Sequence, residues 1–97
     1  MFSNISLDRQ SMVLSCGGKS VKLNNKAFQM MELFMEYPHM IHSVDRIMER
    51  VWGWESDAEI NVVWVTISNL RKCLGEVGAN VEIKATRGVG YSLEEKA

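Results

Sequence analysis

The sequence predicts an α+β domain with an N-terminal antiparallel β-sheet, three helices and a C-terminal β-hairpin. Three observations predict it. Short apolar runs open the chain, three segments with helical periodicity follow, and two further short runs flank a glycine-containing turn near the end. The 97 residues are 46% hydrophobic and 24% charged, which is typical of a globular chain with one hydrophobic core. We therefore expect one domain over residues 1–97.

The first 23 residues are expected to form three strands. Apolar runs occupy residues 5–7, 12–15 and 20–23, and they are separated by residues 8–11 and 16–19. The separating segments are rich in Asp, Ser and Gly, which favour turns. Short runs bounded by turn formers predict a β-meander.

Two helices are expected next. Asn24 or Asn25 is suited to cap the first helix, and Tyr37-Pro38 is expected to end it. Ser43 is expected to cap a second helix over residues 44–52. In both segments, a residue whose side chain can accept a hydrogen bond from the first helical turn is followed by apolar residues at helical spacing.

The third helix is expected over residues 59–74, where the apolar periodicity is strongest. At about 100° per residue, one stripe of this helix faces the core. The stripe consists of Ile60, Val63, Ile67, Leu70 and Leu74. Gly75 is expected to terminate the helix. Residues 81–85 and 90–93 then predict two strands whose connection carries Arg87 at its tip.

The opposite face of the third helix mixes polar and β-branched side chains. Its members are Asn61, Val62, Val65, Ser68, Asn69 and Lys72. Asparagine can pair with adenine, serine and lysine suit phosphates, and valine can touch a thymine methyl group, so this face can read DNA. Two alternatives stay open at this point. Val65 either meets a partner or is simply tolerated, and Trp64 either packs against the second helix or faces solvent or DNA.

Three motifs together resemble the effector domain of OmpR/PhoB-type response regulators. They are the segment 47–53 ending in Trp52-Gly53, the apolar helix 61–74 with its Leu-Arg-Lys at 70–72, and the Arg-Gly-Val-Gly-Tyr of residues 87–91. The similarity extends from about residue 5 to residue 93. It implies a winged helix-turn-helix whose third helix enters the major groove while the hairpin wing enters the minor groove.

The resemblance also implies site residues. DNA contacts are expected at Asn61, Val62, Val65, Thr66, Ser68, Asn69, Arg71 and Arg87. We add Lys72 from the exposed helix face, and Thr86 and Gly88 from the turn. In activators of this family, the segment that corresponds to residues 52–58 touches RNA polymerase, so such a contact is expected at Trp52, Gly53, Trp54 and Glu55.

The sequence departs from the family pattern in places. Members often carry Arg, Asp and His where this chain has Asn69, Trp64 and Thr66, so we expect a different base preference and a weaker hold on phosphates. The family's first strand begins upstream of the position of Met1, and a phosphoacceptor receiver domain normally precedes it. We therefore expect a fragment of a longer regulator, which pairs with a sensor kinase through the receiver and binds double-stranded DNA as a dimer.

Other signals argue against catalysis, cofactors, metals and membranes. No nucleophile–base arrangement is visible, Cys16 and Cys73 stand far apart, and the His39-x-x-His42 spacing falls around Pro38 in a link. With no apolar run of membrane-spanning length, a cytoplasmic protein is expected. The net charge of −1 supports one alternative. That alternative is a winged-helix protein–protein interaction module with weak or lost DNA binding.

Overall fold

The computed structural model describes residues 2–53 and 59–96. Three antiparallel strands open the chain in the order β1 (Ile5–Asp8), β2 (Val13–Cys16) and β3 (Lys19–Lys22). Cys16 pairs with Lys19 across a two-residue turn in which Gly17 has a φ of 60°, a conformation that glycine adopts without steric cost. The predicted β-meander is confirmed, with its second and third strands shifted by one residue.

Helix α1 (Asn25–Glu36) follows the sheet as predicted. The Asn24 side chain accepts a hydrogen bond from the Ala27 amide at 2.9 Å, which satisfies one of the free donors of the first turn. The helix ends at Tyr37, whose amide donates to the Leu33 carbonyl.

The second helix consists of two parts. Helix α2 (Val44–Ile47) begins after Ser43, whose hydroxyl oxygen accepts from the Arg46 amide at 3.1 Å. It continues into a π-helical turn over Met48–Trp52. The predicted helix over residues 44–52 is therefore present, but its last turn is wider than an α-helical turn.

Helix α3 (Asn61–Glu76) corrects the prediction at both ends. Ile60 precedes the first turn and is 48% exposed, so its expected place on the core stripe was wrong. Gly75 lies inside the helix and does not terminate it. The chain leaves the helix through Val77 and then Gly78, which has the left-handed φ of 69° that often follows a helix. The remaining stripe residues, Val63, Ile67, Leu70 and Leu74, are buried as predicted.

Strands β4 (Val81–Thr86) and β5 (Gly90–Glu95) form the C-terminal hairpin, here called the wing. Both strands extend beyond the predicted bounds. The turn between them comprises residues 87–89, and Gly88 has a φ of 75°. A three-residue turn with glycine in the left-handed conformation is common in β-hairpins.

One hydrophobic core joins these elements. Among its fully buried members are Ile5 and Leu14 from the sheet, Met30, Met31 and Phe34 from α1, Ile47 from α2, and Leu93 from the wing. Helix α3 packs against both α1 and β4, so its inner face is fixed while its outer face is left on the surface. Within residues 2–53 and 59–96, no helix is long and apolar enough to cross a membrane.

Candidate nucleic-acid interface

The wing is anchored to the link between α1 and α2. The backbone groups of His42 and Tyr91 exchange two hydrogen bonds, with N–O distances of 2.7 and 2.9 Å. The His39 amide donates to the Leu93 carbonyl at 3.0 Å. Gly90 permits this approach, since a Cβ atom at that position would lie 2.0 Å from the His42 carbonyl oxygen. The position of the wing is thus fixed by backbone contacts.

The Arg71 side chain connects α3 to the wing. Its guanidinium donates to the Ile83 carbonyl oxygen through Nε at 3.2 Å and through Nη2 at 2.9 Å. The same group lies 6.0 Å from the centre of the Tyr91 ring. Arg71 was predicted as a DNA contact, and the structure places its fork of donors on the wing. A DNA contact by Arg71 stays a prediction, and it would use the N–H groups of the guanidinium that these two bonds leave free.

The outer face of α3 carries most of the other predicted contact residues. Asn61, Val65, Ser68 and Lys72 are exposed, with 66% of Val65 accessible to solvent. Val62, Thr66 and Asn69 are half-buried. The Thr66 hydroxyl donates to the Val62 carbonyl at 2.8 Å, so this hydroxyl is already used inside the helix. Asn61, Ser68 and Lys72 are therefore the polar side chains of this face that are open to solvent.

Trp64 lies on the flank of α3 that faces the wing. It is 52% exposed, so about half of its surface is covered by the fold and half faces solvent. It lines a hollow of about 490 Å³ whose other walls are the start of α2, at residues 43–45, and the tip of the wing, at residues 85–91. We call this space the Trp64 hollow. It lies between the Trp64 flank of α3 and the wing.

The wing tip presents a single guanidinium group. Arg87 and Gly88 are exposed, Val89 is 54% exposed, and Thr86 is half-buried. Val89 donates its amide to the Thr86 carbonyl at 2.9 Å, which closes the turn and projects Arg87 from it. Within residues 2–53 and 59–96, no carboxylate lies within ion-pair distance of Arg87. This cation is therefore free to meet an anionic partner.

The segment expected to touch RNA polymerase is described only in part. Trp52 is half-buried, and Lys26 extends over it with Nζ 5.9 Å from the ring centre. The same Nζ donates to the Val51 carbonyl at 3.1 Å. Gly53 is exposed and has a φ of 87°. Trp54 and Glu55 lie outside the described residues.

The burial of His42 is a feature that the sequence did not reveal. This histidine is fully buried, its Nδ1 accepts from Arg46 Nε at 3.3 Å, and its Nε2 lacks a hydrogen-bond partner among the described residues. Its ring meets Phe34 edge-on at 5.5 Å. Burial lowers the pKa of His42 below its ordinary value of 6.5, and the nearby positive charge of Arg46 acts in the same direction. The sequence analysis noted His42 only as part of the His-x-x-His spacing in the link, and that spacing does not indicate burial.

The two histidines of the His-x-x-His spacing have different side-chain partners. His39 contacts Glu94, with Nδ1 and Oε1 2.8 Å apart, whereas the His42 ring meets Arg46. Among residues 2–53 and 59–96, no cluster of three or more His, Cys, Asp or Glu side chains could hold a metal ion.

Comparison with known proteins gives consistent matches. Residues 18–93 match the family described as "Transcriptional regulatory protein, C terminal". The chain is 43% identical over 93 residues to the transcriptional regulatory protein DltR of Streptococcus agalactiae. That alignment covers 96% of this chain and 42% of DltR, so the chain spans about two fifths of this relative's length.

Solved structures show the same architecture. The DNA-binding domain of the response regulator AdeR, solved in complex with an intercistronic region, matches with a TM-score of 0.84 at 25% identity and covers 98% of both chains. The DNA-binding domain of Klebsiella pneumoniae RstA, solved in complex with the RstA box, matches with a TM-score of 0.79 at 26% identity. This second alignment covers 97% of the present chain and 94% of the RstA chain.

Proposed function

We propose that different surfaces of this chain meet different parts of a DNA duplex, because the chain belongs to the family of C-terminal domains of transcriptional regulatory proteins. It is a winged-helix DNA-binding effector domain of the response-regulator type. Helix α3 reads bases in the major groove, and the wing enters the adjacent minor groove. One observation carries this proposal. Trp64, on the flank of α3, and the tip of the wing line the same hollow, so α3 and the wing lie side by side and one duplex can meet both.

The proposed roles follow from the chemistry of the exposed groups. Asn61 and Asn69 each offer an amide donor and an acceptor, the combination that recognises adenine in the major groove. Val65 supplies an apolar surface for a thymine methyl group. Arg87 supplies a cation to the minor groove, whose negative potential is strongest where A·T-rich sequence narrows it. Ser68 and Lys72 are placed to contact phosphates.

Selection of bound sequences from a random DNA pool tests this proposal directly. We expect enrichment of one motif, and we expect the affinity for that motif to fall steeply as salt rises, because counterions are released on binding. A pool that shows no enrichment, with binding insensitive to salt, would contradict the proposal.

The interaction-module alternative is favoured by exposed apolar groups. Trp64 and Val65 are both more than half exposed on one helix, and the net charge is −1. An apolar protein interface responds weakly to salt, whereas DNA binding responds strongly. The salt dependence of binding therefore separates the two functions.

We further propose that this chain is one domain of a longer, cytoplasmic two-component regulator. In that protein, a receiver domain takes a phosphoryl group from a sensor kinase and two copies bind DNA as a dimer. Residues 52–55 are proposed to contact RNA polymerase. Trp54→Ala tests the polymerase contact, since it should lower transcription from a dependent promoter and leave DNA affinity unchanged. An equal loss of both activities contradicts this contact. The proposal assigns the chain a binding role and no catalytic one.

A further inference from the structure

The Trp64 hollow combines exposed apolar side chains with charged ones. Its walls include two of the most exposed apolar side chains described, Trp64 at 52% and Val89 at 54%. Its volume of about 490 Å³ lies within the roughly 300–1,000 Å³ typical of ligand sites. Its lining also includes one acidic side chain, Asp45 at the start of α2, and one basic side chain, Arg87 at the tip of the wing.

The position of the hollow determines what lies in it when DNA is bound. The major and minor grooves of a duplex are separated by one sugar–phosphate strand. If α3 occupies the major groove and the wing occupies the adjacent minor groove, that strand has to cross the space between them. The Trp64 hollow lies where such a strand would cross, because Trp64 of α3 lines one side of it and the wing and the start of α2 line the others.

The chemistry of the walls suits a deoxyribose better than a phosphate. An indole ring packs favourably on the C–H surface of a sugar, and its N–H can still donate to an oxygen at the edge. The Asp45 carboxylate repels a nearby phosphate, whereas the Arg87 guanidinium attracts one. Ser43 accepts the Arg46 amide at 3.1 Å, a bond that leaves its hydroxyl hydrogen to be donated.

We propose that the Trp64 hollow seats the sugar–phosphate strand that separates the two grooves, with the Trp64 indole packed on a deoxyribose. The inference rests on the proposed function and adds a residue that neither reads bases nor supplies charge. Trp64 then strengthens binding to every sequence alike. The net charge of the domain is nearly neutral. An apolar contact of this kind adds to its affinity for DNA, and salt does not screen that contribution.

The experiment measures binding of the wild-type chain, Trp64→Ala and Trp64→Phe to labelled cognate, single-mismatch and random duplexes over a range of salt. Met40→Ala is the matched control, because Met40 is also an exposed apolar residue, at 42%, and does not line the hollow. Thermal unfolding of each variant checks that folding is intact.

We expect Trp64→Ala to weaken binding to all three duplexes by a similar factor of about tenfold, since truncated tryptophans at interface centres commonly cost this much. The slope of affinity against salt should not change, and Trp64→Phe should recover most of the loss. Met40→Ala should match the wild type.

Three results would overturn the inference: unchanged affinity in Trp64→Ala, a loss confined to the cognate duplex, or a changed salt slope. The first means that the hollow is not occupied, the second that Trp64 reads bases, and the third that it acts through charge. If the wild-type chain itself binds none of the duplexes, the proposed function fails together with the inference. Wild-type binding with an unaffected Trp64→Ala rejects the inference alone.

Discussion

Helix α3 and the wing differ in how they are held and in what they present. Helix α3 is fixed by buried side chains, and its outer face carries neutral amides, a hydroxyl and Val65, with Lys72 near its end. The wing is fixed mainly by backbone contacts at Gly90 and Tyr91. Its tip presents the Arg87 guanidinium, which forms no ion pair within the described part of the chain. This difference is the basis of our proposal that base recognition and charge attraction belong to different elements. Each element can therefore be disturbed without the other.

The largest effect is expected from the packing of α3. Ile67 is 2% exposed at the middle of the inner stripe, so Ile67→Ala should lower the free energy of unfolding by about 2–5 kcal/mol through cavity formation. Urea unfolding measures this loss. Ser68→Ala on the outer face is the control and should change stability little. A loss below about 0.5 kcal/mol for Ile67→Ala means that Ile67 does not lie on the inner face of α3.

Gly90→Ala tests the anchoring of the wing. The added Cβ would meet the His42 carbonyl, so the strand has to shift and the free energy of unfolding should fall by about 1–3 kcal/mol or more. DNA affinity should fall as well, because the wing moves. Gly18→Ala is a suitable control, since a Cβ at Gly18 meets nothing within 4 Å. Equal stability of the two variants contradicts the anchoring described for the wing.

Arg71→Lys separates a positioning role from a phosphate contact. Lysine keeps the charge but lacks the fork that donates twice to the Ile83 carbonyl. If Arg71 positions the wing, Arg71→Lys should lose about 1 kcal/mol of stability and part of the DNA affinity. If Arg71 serves as a phosphate contact, the lysine variant should bind DNA nearly as well as the wild type. Amide exchange in β4 reports the loosened wing independently of DNA.

A smaller effect is expected from pH. Because burial lowers the pKa of His42 in the folded state, the unfolded chain binds a proton more readily at this site. The contribution of His42 to stability is complete above its unfolded pKa of about 6.5 and is lost as pH falls below that value. His42→Gln should flatten the stability profile between about pH 7 and 5. An unchanged profile means that another group controls it.

The order of elements could be predicted from the sequence because it depends on local signals. The Asn24 and Ser43 caps, the apolar stripe of α3 and the glycine turn of the wing each act within a few residues. Helix ends were less predictable. Gly75 is a residue type that often ends a helix, yet it is Gly78 that adopts the left-handed conformation. At the other end, periodicity alone could not show that Ile60 precedes the first turn.

The residues of the candidate site could be predicted from the sequence, but the contacts that hold them in place could not. The exposed face of α3 and the arginine at the wing tip follow from spacing and turn chemistry. The bonds of Arg71 to Ile83 and the pairing of His42 with Tyr91 do not, because they join residues that are distant in the chain. Contacts of this kind depend on how the wing lies against the rest of the fold. The sequence pattern carries no direct signal for them.

The central claim is that α3 reads bases while the wing supplies charge. It is tested most directly by binding of the wild type, Asn69→Ala and Arg87→Ala to cognate, single-mismatch and random duplexes over a range of salt. Asn69→Ala should lose about 1–3 kcal/mol of discrimination at one base position and keep the salt slope. Arg87→Ala should weaken binding to every duplex and reduce the slope by about one counterion, with base preference in the major groove unchanged. Unchanged affinity and slope in Arg87→Ala would contradict the claim.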